Sequence, residues 1–195
     1  QIEMLEDEKQ RDELLNEINA MEVIISNLLD SEAINYGHKK LDLKTFNIEV
    51  TIRELASKAA YLENIEIVIS SNIKTKEVEA DQILIEVMIK NVLENASRFT
   101  SPEDSRIEIN LEENDPDSMK LSVRDYGPGF NEDDLEKVTE PFFRTGQSRS
   151  RKSGGFGLGL YLSKQIITAH SGTIQIKNHS QQGAVVDLIL PIKQK

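Results

Sequence analysis

Four closely spaced glycines are the first feature of the sequence with chemical implications. They lie in Ser153–Leu160 and are Gly154, Gly155, Gly157 and Gly159. Glycines let a backbone approach a ligand closely and adopt φ values barred to other residues. Leu160, Ile166 and Ile167 follow at helical spacing, so the glycines are predicted to open a helix, whose free N–H groups suit a phosphate. By itself this stretch leaves two interpretations open, a phosphate-binding loop and a flexible linker.

Two familiar phosphate-binding motifs are excluded for this stretch. A dinucleotide-binding glycine loop follows directly on a strand, whereas the ten residues before Gly154 include no apolar side chain. A P-loop requires Gly-Lys-Ser or Gly-Lys-Thr, and neither tripeptide occurs in the sequence. The segment Arg144–Lys152 instead holds four basic residues and no acidic one, in a chain with a formal net charge of −11. This basic island indicates a local anionic ligand, with a solvated loop as the alternative.

A polar stripe lies on a helix predicted over Asp81–Ser97, with Asp81 as its N-cap. The opposite side is apolar and needs a core; its members are Ile85, Ile89, Val92 and Ala96. Asn91, Asn95 and Arg98 share one stripe because they are spaced by four and three residues. Asparagine is a poor interior helix former, but its carbonyl is a hard oxygen ligand suited to Mg²⁺. The stripe indicates either a metal–phosphate site, with Arg98 on the phosphate, or an ordinary solvated face.

An acidic residue and several aromatic residues offer contacts for the rest of a ligand. Asp125 ends a predicted strand and begins Asp-Tyr-Gly-Pro-Gly-Phe, so its carboxylate could accept a hydrogen bond from an exocyclic amine or lead a plain turn. Phe99 follows the asparagine-bearing helix and could cover a base. Phe142 and Phe143 are adjacent in a polar region, where they either anchor a lid or belong to the core.

Apolar periodicity predicts the elements that must position these residues. Predicted strands cover 65–69, Glu77–Glu79, 107–111, 119–123, Thr173–Lys177 and Ala184–Leu190. Predicted helices cover Asn47–Leu62, Asp81–Ser97 and the stretch from the glycine loop to His170, with Gly172 near its end. Glu112–Ser118 has turn composition, so the strands on either side of it are expected to pair antiparallel. Strands and helices do not alternate strictly, so the predicted class is α+β: a two-layer sandwich of a mixed sheet and about three helices.

A long helix is predicted before this domain, over Glu6–Ile34. Its apolar residues step by four, three, four and three; they are Leu14, Ile18, Met21, Ile25 and Leu28. This is the seam of a coiled coil or helical bundle, and a single such helix would leave the seam exposed. The helix is therefore predicted to pair, and the polar connector Asn35–Lys40 separates two domains, 1–40 and 41–195.

Composition limits the function classes. The 195 residues include no cysteine, which excludes a disulfide framework and thiol chemistry. The net charge of −11 argues against a general nucleic-acid binder. No apolar run is long enough to span a bilayer. The first residue is Gln1 and no signal-like segment follows it, so we expect this sequence to be a fragment of a longer protein.

The order and spacing of the motifs resemble the ATP-binding domain of sensor histidine kinases, within the wider Bergerat-fold ATPase family. The matching motifs are an N-box (Asn91–Thr100), a first glycine box (Asp125–Phe130), a phenylalanine box (Pro141–Arg144) and a second glycine box (Gly155–Leu160). The resemblance covers Leu41–Ile192. The preceding Leu14–Lys40 resembles the second helix of a dimerisation and histidine-phosphotransfer domain, on its heptads and position alone.

This resemblance implies ATP and Mg²⁺ as ligands. Asn95, with Asn91 beside it, would coordinate Mg²⁺, and Asp125 would accept a hydrogen bond from the adenine amino group. Arg98 would contact phosphate and Arg144 would reach the γ-phosphate, which makes them the catalytic candidates. The other implied nucleotide contacts are Phe99, Gly127, Gly129, Phe130, Gly155, Phe156, Gly157, Leu158, Gly159 and Leu160. Residues 131–154 would form the ATP lid.

Two features depart from the family pattern. Gln181-Gln-Gly183-Ala184 stands where family members usually carry Gly-x-Gly-Thr, so the threonine hydroxyl that often helps to hold adenine is missing. The family's phosphoacceptor histidine is followed by an acidic residue and, a few positions on, by proline. His38, His170 and His179 lack that context. His170 is predicted at a helix C-terminus, where partial negative charge favours its protonated form.

The favoured function is a protein histidine kinase that transfers the γ-phosphate of Mg-ATP to a histidine absent from this sequence. ATP-hydrolysing or serine-kinase relatives of the same fold place a glutamate base four residues before the metal-binding asparagine, where this chain has Asn91. The other alternative is a regulatory module that binds ATP without transfer, or does not bind it. Expected partners are a response regulator and a second copy through the N-terminal helix, with no nucleic acid. The expected location is the cytoplasmic part of a membrane-anchored bacterial sensor.

Overall fold

A five-stranded mixed sheet forms one layer of the fold. The computed structural model describes residues 40–58, 64–101, 104–144 and 156–194. In these ranges the strands are β1 (Leu43–Asn47), β2 (Glu66–Asn72), β3 (Glu77–Asp81), β4 (Arg106–Asp115), β5 (Ser118–Asp125), β6 (Thr173–Asn178) and β7 (Ala184–Pro191). The sheet order is β2-β4-β5-β7-β6, with β2 parallel to β4 and the other neighbours antiparallel. β1 and β3 form a separate antiparallel pair.

Helices form the second layer. The described residues include α1 (Ile48–Lys58), α2 (Gln82–Phe99) and α3 (Gly159–Ala169), with a short 3₁₀ helix at Glu132–Asp134. On β4, Ile107, Ile109 and Leu111 alternate inward and are at most 1% exposed, so they pack in one core with the buried sides of the helices. The predicted α+β sandwich of a mixed sheet and three helices is confirmed. The predicted helix over Glu6–Ile34 lies outside the described residues, which begin at residue 40, and the division into domains 1–40 and 41–195 stays a prediction.

Asp81 fixes the start of α2. Its Oδ1 accepts a hydrogen bond from Leu84 N–H at 3.2 Å, which confirms the predicted N-cap. Its Oδ2 accepts from Asp42 N–H at 3.1 Å. All four residues on the predicted apolar side of this helix are buried: Ile85, Ile89, Val92 and Ala96. The cap and the apolar side together set which face of α2 is left for the asparagine stripe.

His170 joins the end of α3 to the start of α2. Asp81 N–H donates to His170 Nε2 at 3.0 Å, and His170 Nδ1 lies 2.8 Å from the Ile166 carbonyl oxygen. The ring therefore carries its proton on Nδ1 and is neutral. Burial lowers its pKa, although the Ile166 carbonyl and the charge of Asp81 oppose this effect. The helix C-terminus is expected to favour the protonated form of His170. Burial outweighs that effect, because His170 is 0% exposed.

Two chain reversals differ in detail from the sequence prediction. The paired strands β4 and β5 reach Asp115 and Ser118, so the turn between them is only Pro116–Asp117. Asp115 makes this short turn possible, because its carboxylate accepts from Asp117 N–H at 2.9 Å and from Ser118 Oγ at 2.6 Å. At the end of α3 the left-handed residue is Ser171, with φ of 57°, rather than Gly172.

No helix among the described residues is long and apolar enough to cross a membrane.

Candidate functional site

The predicted asparagines lie on the side of α2 that meets the start of α3. Gly159, the first residue of α3, is so close to Asn91 that a Cβ on Gly159 would lie 3.6 Å from Asn91 Cβ. Asn95 follows one turn later and is half-buried, and Arg98 is exposed near the end of the helix. The fold therefore brings the N-box and the second glycine box together from distant parts of the chain.

Asn91 has an unpaired polar atom. Its Nδ2 is buried and makes no hydrogen bond to any described residue. Buried amides are nearly always paired, and leaving one unpaired costs about 1–3 kcal/mol. Among the described residues there is also no cluster of three or more His, Cys, Asp or Glu side chains able to hold a metal ion. The asparagine stripe thus offers a few amide atoms to a ligand. A metal ion bound there would take most of its other ligands from phosphate and water.

The start of α3 has no side-chain cap. Leu158 occupies the N-cap position, and its side chain makes no capping hydrogen bond. Leu158 and Leu160 are buried in the core, at 3% and 8% exposure. What this segment offers to a ligand is therefore its backbone N–H groups, which the first turn of a helix leaves unpaired. Gly155 and residues 145–154 of the predicted lid lie outside the described residues.

The phenylalanine box contacts the second glycine box through the backbone. Phe142 N–H donates to the Gly157 carbonyl oxygen at 3.0 Å. A Cβ on Gly157 would lie 2.4 Å from the Phe143 carbonyl oxygen, and Gly157 has φ of 72°, so only glycine fits there without strain. Phe143 packs against the core, whereas Phe142 and Phe156 are 55% and 39% exposed.

The two predicted arginines lie close enough for their charges to interact. Although Arg98 is exposed as a residue, partial burial of its guanidinium lowers its pKa, and the positive charge of Arg144 lowers it further, while Glu94 raises it. Arg144 is half-buried. Two positive charges within interaction range of each other near the end of α2 suit an anion, although the charge of Glu94 offsets part of their effect.

Asp125 is buried at the end of β5, with 5% exposure. Gly127 N–H donates to its Oδ1 at 2.9 Å, and Ala184 N–H donates to the same oxygen at 3.1 Å. Burial raises the pKa of this carboxyl group, and the two backbone donors oppose the effect. Because both donors use Oδ1, the second carboxylate oxygen is left for a ligand donor.

The first glycine box contacts the end of α2. A Cβ on Gly127 would lie 2.1 Å from the Phe99 carbonyl oxygen, so a side chain there would force the loop and the helix apart. Phe99 is half-buried, and Phe130 packs against the core at the far end of the loop. The predicted adenine-side residues are therefore close in space to the end of the helix that carries the asparagines.

Sequence reasoning missed two residues that hold this loop. Asn178, the last residue of β6, accepts a hydrogen bond from Phe130 N–H and donates one to the Phe130 carbonyl oxygen, both at 2.8 Å. Gln182 Nε2 donates to the Tyr126 carbonyl oxygen at 2.8 Å. The sequence shows only an asparagine directly after a predicted strand, followed by a polar turn. That pattern does not identify a hydrogen-bond partner far away in the chain.

Tyr126 was also missed. Its ring is contacted by the guanidinium groups of Arg106 and Arg124, which are 4.1 and 4.2 Å from the ring centroid. Its hydroxyl donates to Glu108 Oε1 at 2.5 Å. Such cation–π contacts favour a fixed ring position, so the residue directly after Asp125 is anchored to β4 and β5.

Comparison with known proteins identifies a family for most of this domain. The family model described as "Histidine kinase-, DNA gyrase B-, and HSP90-like ATPase" matches residues 80–194. The sensor protein KdpD of Clostridium acetobutylicum is 34% identical over 190 residues, which are 95% of this chain and 21% of KdpD. The sensor histidine kinase WalK of Bacillus subtilis is 29% identical over 188 residues, 92% of this chain and 30% of WalK. The chain thus spans less than a third of either relative.

Solved structures agree with this match. The catalytic domain of histidine kinase ThkA has a TM-score of 0.65 at 29% identity, covering 78% of this chain and 99% of that domain. Histidine kinase ThkA in complex with the response regulator protein TrrA has a TM-score of 0.69 at 26% identity, covering 91% of this chain and 49% of that one.

Proposed function

This chain belongs to the histidine kinase-, DNA gyrase B- and HSP90-like ATPase family, as an ATP-binding catalytic domain of the sensor histidine kinase type, and from this we propose the activity of its parent protein. The parent is a protein histidine kinase that transfers the γ-phosphate of Mg-ATP to a histidine other than the three in this sequence. The observation that carries the proposal is the meeting of Asn91 with Gly159, beside the loop that begins at Asp125.

Asp125 recognises adenine in this proposal. Two backbone N–H groups hold its Oδ1, so the carboxylate is already oriented before a ligand arrives. The remaining oxygen accepts a hydrogen bond from the exocyclic amino group. The threonine hydroxyl expected from the family is absent at Ala184, whose backbone N–H still donates to Asp125 Oδ1. Phe99, which lies against Gly127, and Phe130, at the end of the loop, flank the nucleotide.

Asn91 and Asn95 hold Mg²⁺ with the phosphates. The fit rests on the unpaired amide of Asn91, whose oxygen and nitrogen exchange places when the group is turned over. Mg²⁺ prefers oxygen ligands and binds through few protein groups plus phosphate and water, which matches a site with asparagines and no carboxylate cluster among the described residues. When bound, the ion neutralises charge on the phosphate oxygens.

Backbone and arginine groups bind the triphosphate. The uncapped start of α3, from Gly157 to Leu160, directs N–H groups toward it. Arg98 contacts phosphate, and Arg144 meets the γ-phosphate, where negative charge is rearranged during transfer. The acceptor imidazole needs no strong base, since its neutral ring already has a lone pair.

The alternative as a hydrolase or serine kinase of the same fold is disfavoured by the absence of a general base. Asn91 occupies the place of the glutamate, and an amide cannot take a proton from water. Glu94 does not replace it, because its Oε1 lies 3.7 Å from Lys90 Nζ on a partly exposed side of α2. An ATP-binding module without transfer remains the alternative that the experiment below tests.

The same family supports a proposal for the parent protein's partners and location. We propose that it phosphorylates a response regulator, since ThkA has been solved with the response regulator protein TrrA. We further propose that it dimerises through the helix predicted over Glu6–Ile34, and that this domain is cytoplasmic in a membrane-anchored sensor.

The test combines ATP binding with reconstituted transfer. This chain is expected to bind ATP more tightly with Mg²⁺ than without, and not to label itself from [γ-³²P]ATP. Adding the first helix of the parent's dimerisation domain should give acid-labile, base-stable labelling of that helix, and Asn95→Ala should abolish it. Acid-stable labelling of the chain itself would contradict the histidine-kinase assignment, and absence of binding at millimolar ATP would favour a module without transfer.

A further inference from the structure

The end of β6, the start of β7 and the connection between them hold the Asp125–Phe130 loop at both ends and in between. At one end Ala184 N–H donates to Asp125 Oδ1 at 3.1 Å. Next along the loop, Gln182 Nε2 donates to the Tyr126 carbonyl oxygen at 2.8 Å. At the other end Asn178 bonds both backbone groups of Phe130. These residues thus bond the loop at Asp125, Tyr126 and Phe130.

We propose that Asn178 is a positioning residue for the adenine side of the site, assisted by Gln182. The inference rests on the proposed ATP binding. It adds Asn178, which lies outside the family motifs, and Gln182, which occupies the variable position of the Gly-x-Gly-Thr motif. Neither side chain contacts the nucleotide in this proposal. Each acts through the backbone of the loop that places Asp125 and Phe130.

The geometry at Asn178 is that of a clamp. One planar amide pairs with the N–H and the carbonyl of the same residue, Phe130, at 2.8 Å each, as a neighbouring strand would. The loop has no other strand partner at this point, because β5 ends at Asp125. Gly129 allows the close approach, since a Cβ there would lie 2.7 Å from Asn178 Oδ1. Without the clamp, water would compete for both Phe130 backbone groups and the loop would sample more conformations.

The other contacts explain why Asn178 controls the free end of the loop. Asp125 is held by two backbone donors that no side-chain substitution removes. Tyr126 is fixed by the cation–π contacts of its ring with Arg106 and Arg124. Phe130, four residues after Tyr126, has its backbone bound by the Asn178 side chain. Loss of Asn178 should therefore release the Phe130 end while the Asp125 end keeps its place.

The chain offers a matched pair of glutamines to test the same connection. Gln182 bonds the Tyr126 carbonyl oxygen, whereas the exposed side chain of the adjacent Gln181 makes no hydrogen bond to the described residues. Gln182→Ala and Gln181→Ala delete the same atoms at neighbouring positions, so only the first should affect nucleotide affinity.

The experiment measures Mg-ATP binding to the wild-type chain, Asn178→Ala, Gln182→Ala and Gln181→Ala by calorimetric titration, with thermal unfolding of each. We expect Asn178→Ala to raise the Kd about tenfold and Gln182→Ala to raise it about threefold, with binding stoichiometry unchanged and Gln181→Ala equal to wild type. A purely structural role would lower the stoichiometry and the unfolding midpoint while leaving the Kd of the folded fraction unchanged.

The outcomes separate the two proposals. If the wild-type chain binds no ATP, the proposed function fails and this inference fails with it. If wild type binds and both Asn178→Ala and Gln182→Ala keep its Kd, the positioning inference alone is overturned. Should Asn178→Ala not fold, the glutamine pair decides: equal Kd values for Gln182→Ala and Gln181→Ala overturn the inference, and a weaker Gln182→Ala supports it.

Discussion

Ala184 N–H donates a hydrogen bond to Asp125 Oδ1 at 3.1 Å. This bond links the end of β5 to the start of β7, its antiparallel neighbour in the sheet. Gly183, just before it, is so close that a Cβ would lie 1.8 Å from the Asp125 carbonyl oxygen. The position that corresponds to the family's threonine is therefore next to Asp125, the carboxylate that we propose binds adenine. With alanine there, the proposed recognition of adenine by polar side chains depends on Asp125.

Asp125→Asn should separate ligand affinity from stability. The amide oxygen can still accept from Gly127 and Ala184, but its nitrogen now faces the adenine amino group as a second donor. Loss of a hydrogen bond to a charged group costs about 1.5–3 kcal/mol, so ATP affinity should fall at least about tenfold. Calorimetric titration with Mg-ATP measures this change.

Unfolding in the absence of ATP supplies the control for Asp125→Asn. The folded-state pKa of Asp125 is raised by burial. The protonated Asp125 carboxyl group contributes fully to stability at a pH below its pKa in the unfolded chain. This contribution is lost as the pH rises through its pKa in the folded protein. The asparagine variant cannot ionise, so at neutral pH its free energy of unfolding should equal or exceed that of wild type. A clearly less stable variant would mean that the carboxylate is mainly a structural group.

The elements and the motif residues could be predicted because their signals are local. Alternation gives β4 and β5, and the N-cap Asp81 with the apolar side of α2 gives that helix and the face its asparagines share. The role of Asn178 could not be predicted, because its partner Phe130 is 48 residues away in the sequence. The two residues meet only through the register of β6 on β7, which spacing does not reveal. The stacking of Tyr126 on Arg106 likewise depends on strand pairing.

His170 should make the domain less stable in mild acid. Its folded-state pKa lies below the ordinary value of 6.5 because the ring is buried. Above pH 6.5 the ring is neutral in both states and has no effect on the pH dependence. Below it the unfolded chain takes up the proton first, so the free energy of unfolding should fall as the pH is lowered toward the folded-state pKa. Urea unfolding between pH 5 and 8 measures this dependence.

His170→Gln tests whether this residue is responsible. The glutamine oxygen can accept from Asp81 N–H in place of Nε2, and glutamine does not titrate, so the loss of stability between pH 6.5 and 5 should be smaller than in wild type. NMR titration of the wild-type imidazole gives the same answer without a variant. An imidazole that titrates at or above 6.5 in the folded protein would contradict the expectation.

Asn91→Leu should stabilise the domain and remove one of the two side chains that we propose bind Mg²⁺. Leucine has no polar atom to leave unpaired and is a better helix former than asparagine, so the free energy of unfolding without ATP should rise by about 1 kcal/mol. The Mg²⁺-dependent gain in ATP affinity should disappear. Asn72→Ala, on the edge strand β2, is the control and should alter neither quantity. A destabilised Asn91→Leu would indicate that the amide has a partner in the folded domain.

Gly157→Ala should destabilise the domain, whereas Gly159→Ala should change its stability little. Gly157 has φ of 72°, and a Cβ there would lie 2.4 Å from the Phe143 carbonyl oxygen. Backbone strain in this region costs on the order of 1–3 kcal/mol before the clash is added. Gly159 is helical, and its Cβ would be in ordinary contact with Asn91 at 3.6 Å. Gly159→Ala should therefore keep the free energy of unfolding within about 1 kcal/mol of wild type.

Gly157→Ala and Gly159→Ala also test whether the contact between the phenylalanine box and the second glycine box stabilises the first turn of α3. Gly157→Ala must displace Phe143 or break the hydrogen bond from Phe142 N–H to the Gly157 carbonyl oxygen. Amide hydrogen exchange should then accelerate at Phe142 and in the first turn of α3, while Leu162 and later residues stay protected. If exchange rises equally throughout the domain, the substitution acts on global stability and the two boxes are not coupled locally. If Gly157→Ala exchanges like wild type, the close approach of the two boxes is not required.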